Sequence, residues 1–194
     1  MRKYIITLTL LLTFTLARPG ASEVFKATVS PANNKDYREL LMKRLKESKK
    51  SVYMIMFLAS YYPEYKDTSP TNLFMDELIK AKKRGVNVEI ILDQSGDSRD
   101  SHSSTENLKT AMHLSAGGIT VYFDPPEKTT HAKLLVIDEK IVVIGSANWS
   151  FSAMEKNNEA SVMIESPELA EFYIKYFEEI KKTCPSALLR PSGK

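Results

Sequence analysis

The chain of 194 residues is 43% hydrophobic and 26% charged, long enough to bury one core and too balanced for a disordered or multi-span membrane protein. Its formal charge of +3 invites a polyanionic partner, yet Arg2, Lys3 and Arg18 supply three of the 27 basic residues before position 23, and without them 24 bases face 24 acids. Charge alone therefore selects no nucleic-acid partner, and the single cysteine, Cys184, excludes an intrachain disulfide.

Residues 1–22 open with Met1-Arg2-Lys3, run apolar from Tyr4 to Leu16 and close with Ala17-Arg18-Pro19-Gly20-Ala21-Ser22, the three segments of a secretory signal. At ~1.5 Å per residue the apolar run covers roughly 20 Å, short of the ~30 Å hydrocarbon core, so a cleaved signal is expected and a retained anchor is the alternative. The expectation is an exported protein, periplasmic or secreted, with one domain over residues 23–184 and a flexible tail over 185–194.

Apolar runs then alternate with helical spacing, which predicts an α/β fold with a mixed β-sheet flanked by helices. Val24 to Val29 has the pattern of a strand, Tyr37 to Leu45 that of a helix, and Ser51 to Leu58 that of a buried strand. A helix through Leu73, Leu78 and Ile79 closes at Gly85, and Val86 to Leu92 is a strand ending at Asp93. Gln94 to Ser104 is a polar loop, followed by a short helix through Leu108, Ala111 and Met112, then Gly117-Gly118 and a strand from Ile119 to Phe123. Beyond Asp124-Pro125-Pro126, Ala132 to Ile137 and Lys140 to Ile144 form a hairpin turning at Asp138-Glu139. Glu159 to Ile164 adds a strand, and Ser166-Pro167 opens a last helix whose apolar stripe (Leu169, Phe172, Tyr173, Tyr176, Phe177, Ile180) belongs to packing. The basic groups around Lys43 to Lys50 and Lys80 to Arg84 fall at helix ends, where the macrodipole favours them.

Chemistry concentrates in His131-Ala132-Lys133-Leu134-Leu135-Val136-Ile137-Asp138 and, six residues on, Gly145-Ser146-Ala147-Asn148. Alternation along an extended chain puts His131 and Lys133 on one face. An ammonium in so apolar a segment calls for an anion, and a phosphate would serve. Ser146 and Asn148, again two apart, can donate to phosphoryl oxygens, and Gly145 lets the backbone approach closely.

His-x-Lys, four residues, Asp, then six residues and Gly-Ser-x-Asn resembles the HKD motif of the phospholipase D superfamily, carried here by His131, Lys133, Asp138, Gly145, Ser146 and Asn148. Asn157 and Glu159 fit the trailing Asn-x-Glu of the same pattern. The short, single-motif chain looks most like the exported bacterial nuclease branch, whose members cleave phosphodiesters without metal. The resemblance implies a His nucleophile that forms a phosphohistidine, with a second His as general acid and base. It assigns His131, Lys133 and Glu159 to catalysis, with Glu159 orienting the imidazole. Lys133, Ser146 and Asn148 hold the phosphate, while Asp138 and Gly145 are structural.

Two histidines are required and the motif occurs once. His102 is followed by Ser103-Ser104 and His113 by Leu114-Ser115, so the expected partner is a second copy of the chain, a homodimer sharing one active site. No cofactor is implied, and no metal either: the chain lacks His-Glu-x-x-His, a cysteine pair and an acidic cluster with ligand spacing, while Asp93 and Asp97 stand at the site rim or are solvated in a loop. The motif reads only a phosphodiester, so nucleic acid is the first substrate reading, a membrane phospholipid the second and noncatalytic phosphate binding the third. Lys128, Trp149 and Phe151 flank the motif and serve a nuclease if they line a groove; Trp149 and Phe151 serve packing otherwise.

Overall fold

The computed structural model describes residues 24–66, 68–94 and 101–185. The expected signal at 1–22, Asp97 and the tail beyond Pro185 lie outside the described residues. Among those described, no helix is long and apolar enough to cross a membrane.

Seven strands form one mixed sheet in the order β1-β7-β6-β5-β2-β3-β4. The strands are β1 (Thr28–Pro31), β2 (Ser51–Met56), β3 (Asn87–Leu92), β4 (Thr120–Phe123), β5 (Lys133–Ile137), β6 (Ile141–Gly145) and β7 (Ser161–Glu165). The helices are α1 (Lys35–Glu47), α2 (Pro70–Lys83), α3 (Ser101–Ala116), α4 (Phe151–Glu155) and α5 (Pro167–Thr183). β2, β3 and β4 are parallel neighbours because a helix connects each to the next, whereas β5, β6 and β7 are antiparallel. The two halves meet at β2 and β5, where Met56 lies opposite Lys133. Every residue of β5 is buried, as the unbroken apolar run Leu134 to Ile137 requires of a central strand.

One face of the sheet carries Met54, Met56, Leu135 and Val143 against Leu41 and Leu45 of α1 and Phe74 and Leu78 of α2. The other carries Ile55, Leu134, Val136 and Val142 against Ala170 and Phe177 of α5. Burying a side chain of this size contributes roughly 1.5–3 kcal/mol, so these two layers supply most of the driving force. Ser166 caps α5 by accepting from the Leu169 N–H at 3.4 Å, and Gly85 ends the α2 connection at φ 93°, a conformation that costs glycine nothing.

Three elements differ from expectation. β1 starts at Thr28, not Val24, and all four of its residues are exposed. It is an edge strand defined by pairing Thr28 with Glu165 and Pro31 with Val162, which hydrophobicity does not reveal. α3 is a full helix from Ser101, so His102 lies on a helix and not in a loop. Its period is hidden because its inward face is polar: Asn107 donates to the carbonyls of Phe57 and Asp93 at 2.8 and 2.9 Å and accepts from the Ala59 N–H, and the Thr110 hydroxyl donates to the Ala59 carbonyl at 2.6 Å. These bonds satisfy backbone groups where β2 and β3 run out of sheet partners. α4, too short to carry a period, went unanticipated.

Candidate active site

The C-terminal ends of β2 and β6 and the N-terminal ends of β5 and β7 converge at one end of the sheet, and the motif residues other than Asp138 lie there. β5 begins at Lys133, so His131 precedes the strand instead of belonging to it. The segment nevertheless stays beside β2, since the Phe57 N–H donates to the Ala132 carbonyl at 3.0 Å. His131 and Lys133 meet as alternation requires. Lys133 Nζ donates to the His131 carbonyl at 2.9 Å and stands 3.2 Å from Nδ1 and 3.4 Å from Nε2 of the same residue. The Phe57 ring lies 4.4 Å from the imidazole, centroid to centroid, and 4.8 Å from the ammonium.

His131 is exposed, while Lys133 is only 8% exposed. Burial pulls the Lys133 ammonium below its ordinary pKa, against the opposing pull of the Glu159 and Asp93 carboxylates. A buried ammonium of this kind suits an anionic ligand.

Sequence proximity does not bring in the remaining groups; β7 and the residues before it do. Ser146 donates through its hydroxyl to Glu159 Oε2 and accepts from the Ala160 N–H at 3.1 Å, and the Asn157 side chain donates to Glu159 Oε1 at 2.9 Å. Glu159 thus sits in a hydrogen-bonded group with Ser146 and Asn157, close enough to Lys133 to act on its charge. Ala147 and Trp149 point into the core while Ser146 and Asn148 face outward, and the Asn148 amide oxygen is enclosed without a hydrogen-bond partner. A buried polar atom left in that state suits a group supplied by a ligand or a second subunit.

Gly145 is required by packing. A Cβ there would stand 2.1 Å from Ser161 Oγ and 2.5 Å from the Ala160 carbonyl oxygen, and the latter is backbone that cannot yield cheaply. Asp138 lies at the far end of β5. Its carboxylate accepts from the N–H groups of Lys49 at 2.9 Å, Lys50 at 2.7 Å and Ser51 at 3.3 Å. It fastens the hairpin turn, in which Asp138 and Glu139 both have positive φ, to the start of β2.

Several positioning residues escape a reading of the motif. Asn34 accepts from the Glu159 N–H at 2.9 Å and Asn33 from the Ser161 N–H at 3.0 Å, so the Asn pair before α1 holds the strand entry that carries Glu159. Asp93 is fully buried instead of solvated in a loop, and it accepts from the Thr130 N–H at 2.7 Å, steadying the chain next to His131. The turn-forming side chains themselves were the signal, but their targets are remote in sequence. Trp149 is fully buried, donates to the Tyr37 hydroxyl at 3.1 Å and packs 5.1 Å from Phe74, so it belongs to the core and lines no groove. Lys128 borders a cavity of about 450 Å³ with Thr130, His131 and Tyr176, whereas Phe151 is 45% exposed. His113 stacks on Tyr61 at 3.8 Å, and burial pulls its pKa down despite Asp76.

Residues 41–181 match the family described as cardiolipin synthase, PLD-like domain. A phospholipase D of Rickettsia typhi is 29% identical over 136 residues, 70% of this chain and 58% of the relative. A mitochondrial cardiolipin hydrolase of Mus musculus is 31% identical over 98 residues, half of this chain and 41% of the relative. The chain spans about three fifths of the length of the first of these and two fifths of the second. The phospholipase D family member Nuc from Salmonella typhimurium superposes with a TM-score of 0.68 at 24% identity, over 82% of this chain and 97% of that one. NucT from Helicobacter pylori gives 0.57 at 20% identity, over 83% and 98%.

Proposed function

Because the chain belongs to the PLD-like family, we propose that it is a metal-independent phosphodiesterase, an endonuclease that cleaves DNA or RNA through a phosphohistidine in a homodimer. The observation that carries the reading is the buried Lys133 ammonium 3.2 Å from Nδ1 of the His131 ring, with Ser146 and Asn148 presented at the same end of the sheet. These are the groups that phosphoryl transfer needs: a nitrogen nucleophile, and fixed donors for the charge on the equatorial oxygens.

A ring nitrogen of His131 attacks phosphorus, a P–N bond forms and the P–O bond to the leaving group breaks. The partner subunit's His131 gives that oxygen its proton. The same imidazole, now neutral, takes a proton from water as the water oxygen attacks phosphorus, and the P–N bond breaks to release the phosphomonoester. Lys133 neutralises the developing charge, and Glu159 acts through the hydrogen-bonded group it forms with Ser146. Because a pair of imidazoles is needed and His-x-Lys occurs once, the second comes from a second copy of the chain across a twofold axis. An exported location, in the periplasm or outside the cell, with residues 1–22 cleaved or retained as an anchor, completes the proposal.

The rival reading is a phospholipase D acting on membrane phospholipids, and what favours it is the name phospholipase D on the Rickettsia typhi relative. The purified protein, assayed in excess EDTA on plasmid DNA and on phosphatidylcholine vesicles, separates the two. Metal-independent DNA cleavage without choline release is expected, and His131→Ala is expected to lower it by at least ~10³-fold while the fold persists. Choline release without DNA cleavage would establish the rival. Undiminished turnover by His131→Ala would remove the mechanism.

A further inference from the structure

Leu58 to Tyr65 leaves the end of β2 and doubles back to α2, ending in a single 3-10 turn at Pro63–Tyr65. Its aromatic side chains meet the first residue of α4, so that Tyr62, Tyr65 and Phe151, with Thr68 and Ser69, line a cavity of about 470 Å³. Tyr65 is 61% exposed and Phe151 45%, although both stand beside a core able to bury Phe74 and Trp149 completely. The core does not use these rings.

The segments that line the cavity leave the sheet at the end that carries His131 and Lys133, and they pair there, the Trp149 N–H donating to the Leu58 carbonyl at 2.9 Å and the Ser60 N–H to the Trp149 carbonyl at 2.7 Å. Phe151 follows Asn148 by three residues, within roughly 11 Å along an extended chain. Tyr62 follows Phe57 by five, and the Phe57 ring touches that of His131. The cavity is also rigid. The Tyr62 hydroxyl accepts from the Phe151 N–H at 3.1 Å, and Asn72 on α2 accepts from the Tyr62 N–H at 3.0 Å while donating to the carbonyls of Tyr62 and Tyr65 at 2.8 and 3.1 Å. Positive charge borders it at Phe151, where the Lys156 ammonium lies 5.4 Å from the centre of the ring.

We infer that this cavity is a subsite for the nucleobase adjoining the scissile phosphate of single-stranded nucleic acid, with Tyr65 and Phe151 as stacking surfaces and Lys156 facing a flanking phosphate. The inference rests on the nuclease reading and deepens it. Aromatic faces bordered by positive charge are the combination that single strands require: a π-face meets any base, and the charge meets the backbone. The Thr68 hydroxyl gives base edges a polar neighbour. A lipid acyl chain would fill the apolar volume but offers the Lys156 ammonium nothing to pair with.

The test compares the wild type with Tyr65→Ala and Phe151→Ala in EDTA on a short single-stranded oligonucleotide and on bis(p-nitrophenyl) phosphate, a diester too small to reach the cavity and the phosphate groups together. Each variant is expected to lower the ratio of kcat/KM for the oligonucleotide to that for the small diester by roughly tenfold, the scale of one lost stacking contact. An unchanged ratio in a wild type that does cleave the oligonucleotide overturns the subsite alone. A wild type that hydrolyses the small diester and no oligonucleotide overturns the nuclease reading and the subsite with it. Selective loss of phosphatidylcholine vesicle hydrolysis in the variants would assign the cavity to an acyl chain and overturn it as well. An independent readout places Trp at the platform: Tyr65→Trp in the His131→Ala background should lose fluorescence when the oligonucleotide binds, because Trp149, the one native tryptophan, is buried. An emission indifferent to saturating oligonucleotide contradicts the stacking.

Discussion

Lys133 shows how a single side chain can be shaped by something the chain does not contain. Its pKa is pulled down by burial, so the ammonium is less comfortable in the folded protein than in the unfolded one. The cost is present at neutral pH and lifts only as the pH rises through the depressed folded value. Removing the charge should therefore spare the fold: Lys133→Met is expected to melt within about 2 °C of the wild type or above it. Inorganic phosphate at ten times its Kd should raise the wild-type Tm by roughly 3–5 °C, and that shift should disappear in the variant. A variant that keeps the shift would place the anion elsewhere.

At this same scale the sequence was most informative. His131, Lys133, Ser146 and Asn148 could be grouped because alternation along an extended chain is a local rule, and Gly145 could be singled out because a missing Cβ has few other uses. Glu159 was legible as part of a pattern, but its hydrogen bonds to Ser146 and Asn157 were not. Nor were Asn33, Asn34, Asp93 and Asn107 as positioning residues, since each acts on a backbone group many positions away, and for Asn33 and Asn34, just before α1, a helix cap is a sufficient local explanation.

Among the elements, α5 is attached to the sheet in two ways. Its apolar stripe buries Ala170 and Phe177, and near its end Lys181 donates to Glu89 on β3 at 2.9 Å. Burial alone would push the Glu89 carboxyl up, but bonds from Lys181 and Asn87 outweigh it and hold the pKa below the ordinary value, while the same carboxylate and Glu178 hold Lys181 up against its own burial. A depressed carboxylate contributes stability that is complete above the unfolded pKa and is lost as pH falls through the folded one. Glu89→Gln is therefore expected to cost about 1 kcal/mol at pH 7, discounted for solvent screening of a partly exposed pair. Denaturant melts should show the gap between variant and wild type closing below pH 4. A gap independent of pH would mean that packing, not charge, carries the contact.

The helices also show where periodicity stops being a guide. α1, α2 and α5 were visible because their inward faces are apolar. α3 was cut short in the sequence reading because its inward face carries Ser103, Asn107 and Thr110, and hydrogen bonds to frayed strand ends replaced hydrophobic contact as the reason for burial. A polar helix face over the open end of a parallel sheet has no signature at spacing 3 and 4.

For the whole molecule, the mixed sheet presents the motif a single time, which is what the proposed shared site would use. β5 and β6 bring the motif to the sheet end once, and the described residues show no second His-x-Lys for it to face. If two copies share the pocket, specific activity must depend on concentration. Sedimentation should give twice the chain mass at working concentration, and activity per chain should fall on dilution through the dimer dissociation constant. Full activity from a species that sediments as a monomer would contradict the shared site.

The closing of β1 onto β7 also has a consequence in time. Asn34 leaves the ribosome early, yet the group it holds, Glu159, lies 125 positions later, and Lys49 waits 89 positions for the Asp138 carboxylate. Contacts this distant along the chain form slowly and late. The end of the sheet that carries Glu159 is therefore among the last parts to form, and a chain still being synthesised displays His131 before the contacts that would set it for the proposed chemistry exist.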